Sequence, residues 1–337
     1  MRSLYLAAVF VGLCASTTYA QWQRQTIATT ADFRGLCAVS RDVAWVSGTK
    51  GTYGRTADGG RTWTVGIVPG AEKLDFRDVE AFGPDTAYLL SAGLGEDARI
   101  YKTTDGGKSW DLQFKNADRD AFFDAIAFWD EKSGIALGDP VKGQFQLLHT
   151  DDAGANWKRL EPDMLPPALP NEGAFAASGT CLLARGERDV WFVTGGAKVS
   201  RVFRSSDRGR TWQVGESPIR AGAESAGIFS IAFRDMKHGL IVGGDYRKPN
   251  EGGATVAVTT DGGKTWALIE KSLPFRSCVA WSAGRWIAVG TSGSDVSTDN
   301  GATWKPLDRE NYNSVAFADD GTGWAVGPKG RIAKFTK

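Results

Sequence analysis

The sequence predicts an all-β fold, a β-propeller of seven four-stranded antiparallel blades, from three recurrences along the chain. An acid–glycine–tryptophan octamer returns six times, a short apolar strand seven times ahead of it, and an apolar heptamer seven times ahead of that. Forty-two glycines and thirteen tryptophans among 337 residues suit many tight turns between aromatic-rich strands.

The first twenty residues read as an export signal. Arg2 precedes an apolar run from Leu4 to Ala15, and small residues at Thr18 and Ala20 fit cleavage before Gln21. The run is too short to span a bilayer, which takes about twenty residues. Lipid attachment at Val-Gly-Leu-Cys14 is the weaker reading, because bulky Leu13 stands where a small residue is expected. The domain is therefore expected over residues 21–337, exported to the periplasm or beyond and monomeric.

The octamers are TADGGRTW, TTDGGKSW, TDDAGANW, SSDRGRTW, TTDGGKTW and STDNGATW. Their acids, Asp58, Asp105, Asp152, Asp207, Asp261 and Asp299, can each accept backbone N–H groups of the same tight turn. The following glycines supply positive φ without steric cost, and the tryptophan is expected to lid the turn. A catalytic loop is used once, whereas a structural device can serve every repeat. The hairpin so formed is expected to hold its register without distant contacts.

Ahead of each octamer lies a strand such as AWVSG, AYLLS or GIALG, and GWAVG adds a seventh. Ahead of those come FRGLCAV (33–39), FRDVEAF (76–82), FFDAIAF (122–128), AASGTCL (176–182), GIFSIAF (227–233), FRSCVAW (275–281) and NYNSVAF (311–317). Aligned by their letters, these put an alanine sixth in six copies and Cys181 in the other, where it reads as a small core residue. Each repeat is then strand, turn, strand, loop, strand, octamer hairpin, strand. The last repeat lacks its fourth strand, and QWQRQTI from Gln21, with Trp22 in the place of an octamer tryptophan, is expected to supply it. That pairing closes the ring and hides two edges.

Composition narrows function by exclusion. The formal charge is +1, and 0 without Arg2, giving no electrostatic pull toward nucleic acid. Cys37, Cys181 and Cys278 remain after processing, too few for a disulfide framework, although one bridge stays open. His149 and His238 fall in different repeats and suggest no metal cluster, and no nucleotide or cofactor motif occurs, so no cofactor or metal is expected.

Six octamers of the form Ser/Thr-x-Asp-x-Gly-x-Thr-Trp resemble the Asp-box (BNR) repeat of sialidases, sortilin-type receptors and related propellers. The export signal and GWAVG-type strands most resemble the photosystem II stability/assembly factor (Ycf48-like) group. That resemblance implies binding of partner proteins through an arginine-lined face during assembly of membrane complexes. It also implies that the boxes occupy one rim and that binding sites lie on the opposite face.

On that opposite face two loops stand out. Residues 161–173 carry four prolines and read as a fixed wall, and 243–253 bring Asp245, Tyr246, Arg247 and Lys248. Arg34, Arg77 and Arg276 share the second place of the heptamer in blades 1, 2 and 6, with Tyr312 between them in blade 7. Three converging guanidiniums would suit a carboxylate or an acidic peptide, against the plainer reading that each pairs with a nearby acid. The expected partner is a protein or peptide at the cell envelope, or a glycan. Asp124, Asp139 and Glu172 gather on the other arc. They raise the alternative of a glycoside hydrolase, for which two carboxyls would stand roughly 5–10 Å apart. A sialidase-like site is less well matched, since Gly35 and Leu36 break the Phe-Arg-Ile-Pro element begun by Phe33 and Arg34.

Overall fold

The computed structural model describes residues 21–161, 165–271 and 273–336 of the chain. The expected export signal and three residues of the proline-rich loop lie outside these. The described strands form seven four-stranded antiparallel sheets, each in simple sequential order save the last. That one is completed by Gln21–Gln25, which pairs with Arg331–Thr336 from Gln21 opposite Thr336 to Gln25 opposite Ile332. Each innermost strand packs on those of the two adjoining blades, so the ring is closed.

Packing follows the pleat. The second strands, such as Ala44–Gly48, Ala87–Ser91 and Gly323–Gly327, are buried along their whole length. Apolar clusters straddle the blade boundaries: Phe33 and Val46 pack with Trp324 across the closing seam, and Trp45 with Phe76 across the next. Trp45, Trp191, Trp286 and Trp324 are fully buried. Each withdraws roughly 200 Å² from water, on the order of 5 kcal/mol before chain entropy is charged against it.

The octamers are hydrogen-bonded alike. In the first, Thr56 Oγ1 donates to Asp58 Oδ1 at 2.9 Å and accepts the Gly60 N–H, while Asp58 accepts Thr62 N–H at 2.9 Å and Thr62 Oγ1 at 2.6 Å. In TDDAGANW the amide of Asn156 replaces the hydroxyl, donating to Asp152 Oδ2 at 2.7 Å. The turn is not self-sufficient, however. Tyr53 of blade 1 donates its hydroxyl to the box carbonyl of Gly107 in blade 2, Tyr88 of blade 2 does so to Ala153, and Trp191 of blade 4 donates its indole N–H to the carbonyl of Gly262. Each box thus latches onto the blade before it. The tryptophan lids its own turn in Trp212 and Trp304, which donate to Gly209 and Gly301, but Trp110 packs instead on Trp45 and Tyr53 of the preceding blade.

Strand register departs from the letter alignment. Ala38 faces Ala44 and Ala81 faces Ala87, but in blades 3, 5, 6 and 7 the residue so placed is Phe128, Phe233, Trp281 and Phe317, one position later than expected. In blade 4 the strand begins only at Leu182 and Ala184 takes that place, so 176–181 are not strand. Cys181 is buried in the core as expected, though at another position of the repeat, and Cys37, Cys181 and Cys278 are all free thiols.

Candidate binding site

A one-residue bulge decides what faces the centre. The ladder slips between Phe33 and Gly35, Phe76 and Asp78, Phe123 and Ala125, and Ile228 and Ser230. The residue left unpaired is Arg34, Arg77, Asp124 and Phe229 in turn. A bulge re-aims its extra side chain. In blades 6 and 7 Ser277 and Asn313 precede the strand at the same place. All six line one cavity of about 500 Å³ at the centre of the ring.

The floor of the cavity is chain rather than solvent. Before entering blade 4, residues 174–180 cross the axis and engage five other blades. The Ala174 N–H donates to Asp139 Oδ1 at 2.8 Å, and Arg77 and Arg34 donate to the carbonyls of Ala176 and Ala177. Ser178 and Thr180 donate to Ser277 O and Ser230 Oγ at 3.1 and 2.7 Å. At Gly179, φ is +77° and a Cβ would stand 2.1 Å from Asp78 Oδ1, so only glycine fits the crossing. The proline-rich loop ahead of it is anchored by Glu172, whose carboxylate accepts Thr194 Oγ1 at 2.6 Å, the Leu169 N–H at 2.8 Å and Arg201 Nε at 2.8 Å. The plug is therefore the segment that follows the proline-rich loop, not the expected wall itself.

Several anticipated site residues are placed elsewhere. Arg276 occupies the place of Phe33, not that of Arg34, because the letters mislead by one residue. It is buried, with Nε on Asp295 Oδ2 at 2.8 Å and Nη1 on Phe275 O and Ser292 Oγ. Tyr312 is likewise buried, packed on Trp22 with its hydroxyl on Asp308 at 3.2 Å. Convergence of three arginines with Tyr312 is not found; two arginines reach the cavity. Glu172 is fully committed to Arg201 in a buried ion pair, which leaves it no role as a free acid or base. Asp245 caps its own loop by accepting the Arg247 N–H, and Lys248 lies outside near Glu251. Tyr246, Asp124 and Asp139 do line the cavity.

Charge within it is divided. Arg77 pairs with Asp75 at 2.8 Å. Burial, with the neighbouring charge of Arg77, makes Arg34 easier to deprotonate than an ordinary arginine. Opposite them, burial raises Asp139 to about 6, and burial with the charge of Asp139 raises Asp124 well above the usual carboxylate range. Sequence reasoning missed the aromatic residues Phe122, Phe175, Phe229 and Phe275. Phe122 and Phe275 open their heptamers, but the bulge that admits Phe229 leaves no mark in the letters.

A family profile described as Photosynthesis system II assembly factor YCF48 matches residues 75–213. The Photosystem II assembly lipoprotein Ycf48 of Picosynechococcus sp. is 25% identical over 334 residues, covering 82% of this chain and 88% of that protein. The chain is a Ycf48-like Asp-box β-propeller. Against the chloroplastic photosystem II stability/assembly factor HCF136 of Arabidopsis thaliana, this Ycf48-like propeller is 25% identical over 80% of its own length and spans 66% of the relative. It spans 55% of a Synechococcus Photosystem II assembly protein Ycf48. The solved structure of YCF48 bound to D1 peptide superposes with a TM-score of 0.69 at 19% identity, covering 95% of this chain and 98% of that one. YCF48 from Cyanidioschyzon merolae gives 0.66 at 18%, covering 94% and 98%. At such identities the likeness of the Ycf48-like propeller to these structures is one of fold.

Proposed function

We propose that this chain is an exported bacterial assembly scaffold that captures a peptide segment of a partner protein on the face opposite the Asp boxes. The observation that carries this reading is the central cavity. It is closed below by residues 174–180, walled by side chains of several blades, and offers Arg34 and Arg77 on one side. Rigid, preorganised walls limit the entropy lost when a flexible peptide docks. The names of the relatives support an assembly role, and the D1 peptide bound to a YCF48 of the same fold supports a peptide ligand. Relatives named as lipoproteins support export and membrane association. With Glu172 held by Arg201, the hydrolase alternative loses one of its expected carboxyls.

The test is panning of a random heptapeptide library against the purified protein, followed by titration of selected peptides. Selected peptides should bind saturably at this face, more weakly as salt rises. An Arg34→Gln/Arg77→Gln variant should lose about tenfold in affinity. Failure to enrich any peptide, or equal binding by that variant, refutes the proposal.

A further inference from the structure

We propose that the acidic side of the cavity is a subsite for an organic cation on a flexible chain, an amine or guanidine of a peptide, held by Asp124 and Asp139 inside an aromatic wall. The inference rests on the reading of this cavity as a peptide site only for the ligand's source; the subsite itself stands on its own geometry.

Asp124 lines the cavity and is 1% exposed, and its Oδ2, itself buried, has no hydrogen-bond partner among the described residues. Buried carboxylate oxygens without partners are costly, and a site that keeps one is short of a donor. Among the described residues the Asp139 carboxyl accepts one backbone N–H, from Ala174. Among the described residues neither carboxyl forms an ion pair, because Arg77 is turned to Asp75 and both cavity arginines donate to carbonyls of the plug. Burial holds Asp124 toward its neutral form, with the charge of Arg77 and the Ala176 N–H acting the other way, and a cation entering from outside would supply the donor that Oδ2 lacks.

The rest of the wall fits that chemistry. Phe175 stacks on Phe229 with centroids 3.9 Å apart and planes at 6°, and Tyr246 meets Phe175 and Phe229 at 79° and 77°. Phe275 closes the set edge-on to Phe229 at 4.8 Å. Aromatic faces beside carboxylates attract ammonium and guanidinium groups while covering the methylenes that carry them. Tyr246 is 45% exposed at the mouth, where an incoming side chain would pass it.

The probe is n-butylammonium, with 1-butanol as its uncharged counterpart, titrated by ligand-observed NMR. We expect saturable binding of the ammonium and none of the alcohol. Affinity should fall about tenfold or more in Asp124→Asn/Asp139→Asn and roughly threefold in Tyr246→Leu. Binding no better than that of 1-butanol, or unchanged in the double Asn variant, overturns the inference. Should that variant fail to fold, exposed Tyr246→Leu decides, and unchanged affinity again overturns it. Capped peptides with one lysine, compared with uncapped lysine-free ones, separate a side chain from an amino terminus as the source. Peptides that bind equally with lysine replaced by norleucine and the terminus capped would sink the subsite and leave the peptide reading intact. Binding of the ammonium without any peptide would do the reverse.

Discussion

At the scale of single residues the molecule holds two kinds of aspartate with opposite consequences for pH. Those of the boxes are fixed as anions: the hydroxyls of Thr62, Ser109 and Thr303, with backbone N–H groups, hold Asp58, Asp105 and Asp299 down at about 2. Their support is present above the unfolded value of about 4 and is lost as pH falls toward 2. Asp139 is the reverse, raised by burial to about 6, so the native state keeps a proton that the unfolded chain releases near 4. Stability should therefore decline as pH rises from about 4 through 6. Calorimetry should place the highest melting temperature near pH 4 to 5. Asp139→Asn should recover on the order of 2 kcal/mol at pH 7.5 and leave the acid limb unchanged.

At the scale of elements, the box is both a turn and a latch, and glycines separate the two roles. Gly107 has φ +88°, and a Cβ there would meet the Tyr53 ring of the previous blade at 2.6 Å, whereas Gly143 has φ +79° and open space around it. Urea denaturation should show Gly143→Ala costing about 1 kcal/mol, the backbone term alone. Gly107→Ala should cost about 2 kcal/mol or more, because the neighbouring blade must also yield. The turn chemistry was legible in TTDGGKSW because its partners lie within four residues. The latch was not, because Tyr53 stands 54 residues from Gly107. Register was illegible for a related reason. The Phe-Arg pair sits one residue earlier in blade 6 than in blade 1, so Arg34 and Arg276 align in sequence yet point to different places.

At the scale of the whole molecule, blade number and closure were legible, since seven apolar strands with six boxes require a borrowed strand and QWQRQ supplies it. The plug was not. Its residues resemble a strand in composition, and only the assembled ring shows that Ala174 to Thr180 span the axis instead.

The seam in the last blade carries one more implication. Gln21 and Thr336 are rung partners, and Trp22 reaches across to Ser294 in blade 6, so the beginning and end of the folded chain are neighbours. Joining the ends with a short linker and cutting instead at exposed Gly284, in the turn between Ser282 and Arg285, should yield a circular permutant of unchanged circular dichroism and comparable melting temperature.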